Sequence, residues 1–154
     1  MSKTYFKIEG IKELNKSLEK LGKVPQKHVT AAARKGMNIV LKSAKAKAPI
    51  DSGDLKKGIK LNGEKSRYKG KKVYQVIFDS AMNDVFQTKD KDGNINGYYP
   101  VSQEYGFFAK NGRYIPGYNF MHYALNNNAP TVQKVMITTM KTKIDQEIAK
   151  VGLK

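Results

Sequence analysis

Cysteine is absent, and histidine occurs only twice, at His28 and His122. Without thiols there is no disulfide framework, no thiolate nucleophile and no cysteine-based zinc site. Neither histidine sits in an HxxxH or HExxH spacing, so each is read as a surface or packing residue. There is no GxSxG elbow, no GxxxxGK phosphate loop and no GxGxxG turn. Those gaps remove the main supports of hydrolase, kinase and dehydrogenase readings. The 13 carboxylates show no spacing that singles out an acid and base pair. Glu104, set among aromatics in Gln103-Glu104-Tyr105-Gly106, is the first to test, and its favoured role is that of a hydrogen-bond acceptor fixing the following loop. No enzyme, cofactor or metal is expected.

Long apolar runs are missing as well. No stretch of about 18 apolar residues occurs, so nothing is expected to span a bilayer. The start, Met1 to Lys7, carries no apolar segment of signal-peptide length, which predicts synthesis and folding in the cytoplasm. Arginine is scarce: Arg34, Arg67 and Arg113 are the only three in a chain of net charge +16. Direct base readout leans on the guanidinium fork, so sequence-specific DNA recognition is disfavoured. Scattered lysine reads first as a solvated surface, then as a match for an acidic protein partner or for phosphates.

What is present fits one domain over residues 1–154, long enough to bury roughly 70% of its unfolded surface. Tyr5, Phe6 and Ile8 suggest a short strand, and Ile11, Leu14, Leu18 and Leu21 a helix stopped by Gly22. From Pro25 to Ala48, Val29, Ala32, Ala33, Gly36, Val40, Ala44 and Ala48 line one face of a long central helix whose small residues allow close approach. Lys35, Lys42, Lys45 and Lys47 fall away from that stripe. Pro49 should end the helix, and Asp51-Ser52-Gly53-Asp54 should turn the chain so that Leu55 and Ile59 return to the core.

Residues 60–78 read as two strands joined by a basic loop, with Tyr74, Val76 and Phe78 on one face of the second. Lys89 to Asn94 has the chemistry of an exposed loop tip, where Asp92-Gly93 supplies the positive φ that a hairpin turn needs. A calcium loop is disfavoured there, because Thr88 and Tyr99 would fall at positions one and twelve. A strand or helical turn is expected over 98–105, an irregular loop over 106–116, a short helix over about 119–126 and a terminal helix over 131–151. In the last, Val132, Met136, Met140, Ile144 and Ile148 recur every four residues. The fold class is therefore α+β: a small mixed or antiparallel sheet packed against a long central helix and a C-terminal helix. Segments 63–72 and 84–97 are expected to be mobile loops.

Nine of the fifteen aromatics fall between Tyr98 and Tyr123. A stretch that also carries Gly106, Gly112, Pro116 and Gly117 cannot bury them all internally. Some should be core, others a protein interface, or a stacking platform for a nucleic-acid strand.

The order of these elements resembles the tail-completion, or head-tail joining, proteins of long-tailed phages and related prophages. Three segments carry the resemblance: Ala48-Pro49-Ile50-Asp51-Ser52-Gly53-Asp54-Leu55 after the helix, Glu104-Tyr105-Gly106, and Pro116 through Asn119-Phe120-Met121 to Ala124-Leu125. The sequence departs from the family pattern at Ser52, Gly58, Phe107, His122 and Tyr123, which places it in a divergent branch. The resemblance implies a virion protein, assembled in the host cytoplasm, that completes the head-proximal end of the tail as a ring. Its implied partners are a head-closure or neck protein and a tail terminator or tube protein. Pro49, Asp51, Ser52, Gly53 and Leu55 would form the structural turn. Candidate interface residues are Glu104, Tyr105, Gly106, Phe107, Phe108, Tyr114, Pro116, Phe120, Lys69, Lys71, Lys89 and Lys91. Deleting residues 86–96 is expected to spare the thermal transition and abolish addition to tails. The alternative is a nonspecific nucleic-acid-binding protein.

Overall fold

The computed structural model describes residues 26–65, 67–68 and 70–151. The expected N-terminal strand and first helix, Tyr5 to Gly22, lie outside the described residues, as does Lys69.

Helix α1, Gln26–Lys47, is the spine. Its stripe of small residues turns inward: Ala32, Ala33, Gly36, Val40 and Ala44 are buried, and Ala48 just beyond the helix is too. Lys35, Lys42 and Lys47 are exposed on the other side, and Lys45 is half-buried. The long C-terminal helix, α6 (Ala129–Val151), packs along that stripe. Val132 and Met140 are buried, and Met136 and Ile144 complete the contact. Gly36 permits the approach, because a Cβ there would stand 2.6 Å from Cγ of Met136. His28 proves to be a packing residue, buried between the two helices with its Nε2 3.1 Å from Oε1 of Glu147.

The turn after α1 forms as its residues dictate. Gly53 takes φ +82 and opens helix α2, Asp54–Gly58, while the Ser52 hydroxyl accepts from the Asp54 amide at 3.3 Å. Leu55 and Ile59 then enter the core as expected. Strands β1 (Ile59–Gly63) and β2 (Tyr74–Phe78) pair antiparallel, Ile59 opposite Phe78 and Gly63 opposite Tyr74. Val76 and Phe78 lie on the α1 side, and Phe78 meets Phe86 and Phe120 edge to face, each at 6.2 Å. Gly58 has a steric reason to lack a side chain, since a Cβ would run into the ring of fully buried Phe86.

A 3-10 turn, Ser80–Met82, and helix α3, Asn83–Phe86, lead into β3 (Gln87–Lys89) and β4 (Ile95–Tyr98). At their tip the Asp90 carboxylate accepts from the amides of Asp92 and Asn94 at 2.9 and 2.8 Å, and Gly93 takes φ +84. Helix α4, Tyr99–Tyr105, follows. The expected irregular loop over 106–116 is instead a third hairpin, β5 (Gly106–Phe108) with β6 (Tyr114–Pro116). Strands of three residues are too short to show alternation, so periodicity could not reveal it. Helix α5, Phe120–Asn126, then leads to α6. The fold is α+β, and among the described residues the strands form three separate antiparallel ribbons.

Candidate docking surface

Segment 98–123 is organised by one buried carboxylate. Glu104, only 3% exposed near the end of α4, accepts from the amides of Met121 and His122 at 2.9 and 3.0 Å. Those amides belong to the first turn of α5, where donors lack intrahelical partners and the helix end is electropositive. Asn119, the residue before α5, sits at φ +49 and makes no side-chain cap, so Glu104 supplies the cap from another element. Two backbone bonds reinforce the join: Tyr118 N–H to Gln103 O at 2.8 Å and Asn119 N–H to Glu104 O at 2.9 Å. Gly117 lies against the Glu104 carbonyl and the Gly106 amide, too close for any Cβ. Glu104 thus takes the structural role that its neighbours suggested.

The β5–β6 ribbon projects from this anchor. Gly106, at φ +88, leaves α4 and starts β5. The Tyr114 hydroxyl donates to the Tyr105 carbonyl at 2.5 Å, and the Phe108 and Tyr114 rings lie 5.3 Å apart. At the tip, Ala109 N–H bonds Arg113 O at 2.8 Å and Gly112 takes φ +78. The aromatics divide sharply. Phe120 is 1% exposed and Tyr98 and Tyr99 are half-buried, whereas Tyr105, Phe108 and Tyr118 are 64%, 75% and 61% exposed. Phe107, Tyr114, Ile115 and Tyr123 are exposed too.

The turn after α1 adjoins this surface. Burial pushes the Tyr99 hydroxyl pKa up, and the negative charges of Asp51 and Asp54 and the neighbouring Tyr118 push it further. Burial and then Asp79 raise that of Tyr98. Ala48 and Leu55 share a buried cluster with Phe120 and Ala124, so two segments that the resemblance singled out, far apart in sequence, meet in the core. Pro49, Asp51, Ser52 and Gly53 edge the surface while Leu55 is core.

Among the candidate interface residues, Tyr105, Phe107, Phe108, Tyr114 and Pro116 face solvent, and Gly106 is half-buried. Glu104 and Phe120 are interior, so they act by holding the ribbon in place. Lys71, Lys89 and Lys91 are exposed on other loops. Lys71 belongs to the β1–β2 connection, which Gln26 fastens to α1: its side chain donates to Lys71 O at 3.1 Å and accepts from Gly70 N–H at 2.8 Å. Residues 87–98 form a paired hairpin, and Phe86 at its base is fully buried. A deletion that removes Phe86 therefore destabilises the core, and the separable arm is 88–96. Val85, Ile95, Tyr68 and Ile50 are exposed apolar residues outside the candidate set. For Ile50, lying between the helix-ending proline and the Asp51 turn is a signal that could have found it.

Among the described residues no three of histidine, cysteine, aspartate and glutamate gather to hold a metal ion. A shallow concavity of about 620 Å³ on α1, bordered by Gln26, Thr30, Arg34 and Asn38, has no carboxylate, histidine or cysteine in its lining. No helix among the described residues is long and apolar enough to cross a membrane.

The spine helix and small antiparallel ribbons thus present an exposed aromatic surface to solvent. The chain belongs to the HK97-gp10-like family, described as "Bacteriophage HK97-gp10, putative tail-component", whose model matches residues 12–96. That span covers α1, the Asp51 turn and the first ribbon, ends within β4 of the second, and stops short of α4 and the aromatic hairpin. No curated protein and no solved structure matches the chain. The protein is thus a structural phage protein of a tail-component family, and its family places it in the virion.

Proposed function

We propose that the protein completes the head-proximal end of the phage tail and mediates head-tail joining, without catalysis. The observation that carries this reading is a rigid aromatic ribbon, turned to solvent and anchored by Glu104, on a chain whose family is one of tail components. Exposed contiguous apolar surface on a soluble domain marks an interaction site. A joining protein needs such surface on more than one side. The ribbon supplies one, and the Lys71 loop and the Lys89 and Lys91 hairpin supply others. The copies form a ring, with a head-closure or neck protein on one face and a tail terminator or tube protein on the other.

Disruption of the gene in the parent phage tests this. Filled heads and unattached tails should accumulate separately, and purified protein added to that lysate should restore infectious titre. Joined particles in the absence of the protein would refute the role.

A further inference from the structure

We propose that the hairpin spanning Tyr105 to Tyr118 docks into an apolar groove rimmed by carboxylates on a different virion protein, neither on a second copy of this chain nor on nucleic acid. The inference rests on the tail role above and specifies the partner's chemistry.

Shape and stiffness come first. The ribbon is locked by the Tyr114 hydroxyl on the Tyr105 carbonyl, by the contact of the Phe108 and Tyr114 rings, and by the packing of Gly117 on Glu104 and Gly106. A preformed projection of aromatic side chains loses little conformational freedom on binding, which is what makes tyrosine and phenylalanine effective anchors. Its natural complement is concave and apolar.

Charge identifies the rim of that complement. Lys110 and Arg113 stand exposed at the tip. From Gly93 to Ile144 the only carboxylate in the sequence is Glu104, and it is turned inward on the α5 amides. Within residues 105–118 the exposed charge is therefore all positive, and carboxylates across the interface would pair Lys110 and Arg113 and steer the encounter. A second copy is a poor match. A chain with 29 basic and 13 acidic residues offers few carboxylates to rim such a groove. Nucleic acid is a poor match as well: the two cations sit on the turn, away from the aromatics on the strands, whereas a stacking groove tracks the backbone with charge throughout its length.

The test uses full-length protein and tails purified from phage with the gene disrupted. Wild-type protein should sediment with those tails or with the heads that join them. The double variants Phe107→Ser with Phe108→Ser, and Lys110→Glu with Arg113→Glu, should each lose at least tenfold in bound protein and restored titre while melting as the wild type does. A photo-crosslinking residue at position 108, which leaves the rest of the chain native, should yield an adduct with another virion protein at a segment containing aspartate or glutamate beside apolar residues. Adducts with a second copy or with DNA would overturn the inference, as would wild-type binding by both double variants. That last result would leave the tail role standing; failure of wild-type protein to add to tails or heads would overturn both.

Discussion

The α1–α6 interface and segment 98–123 solve opposite problems. The helix pair buries alanine, glycine, valine and methionine, residues with modest apolar surface, and gains stability by bringing two backbones close. Segment 98–123 carries nine aromatics and leaves six of them exposed. Apolar content therefore does not predict burial in this protein; geometry does. A helix of 22 residues has one face to hide. A hairpin with three-residue strands has two faces and only one anchor.

Substitutions can break that contrast. Phe120→Ala removes the one aromatic of the segment that is fully in the core, where it meets Phe78, and should cost about 3–5 kcal/mol in denaturant unfolding. A loss below about 1 kcal/mol would mean that α5 is not part of the core. Gly58→Ser, which restores the residue usual in the resembling family, should overpack the site against Phe86 and cost about 1–3 kcal/mol. An unchanged melting temperature would show that the Phe86 ring can move aside.

Milder changes sharpen the contrast. Glu104→Ala strips the carboxylate cap from α5 and should destabilise by about 1–2 kcal/mol. Amide exchange should quicken first at Met121 and His122; uniform exchange across the chain would argue against a local cap. Phe108→Ser should change stability by less than about 0.5 kcal/mol, since the ring is 75% exposed. A larger loss would place Phe108 among the residues that hold the fold.

The elements with long periods were legible before any coordinates. Val29, Ala32 and Gly36 of the first stripe and Val132, Met136, Met140 and Ile144 of the second map onto the α1–α6 contact. The Asp51 turn and the 89–94 tip were legible for a different reason: their chemistry is local, the Ser52 hydroxyl reaching the amide two residues on and Gly93 free to take positive φ. The third hairpin escaped because its strands are short. Glu104 was marked by its aromatic neighbours, but the α5 amides it serves lie 17 and 18 residues on, and no local pattern announces such a partner.

Sequence by itself determined the helices, the turns, the positive charge and the absence of thiol or histidine-cluster chemistry, because each is a property of residues within a turn or two of one another or of composition. Only the tertiary structure decided which aromatics are core and which are surface, that the described strands form separate ribbons, and that Asp51 comes near Tyr99. Those outcomes depend on contacts between residues distant in the chain, and such contacts are set by how the elements pack.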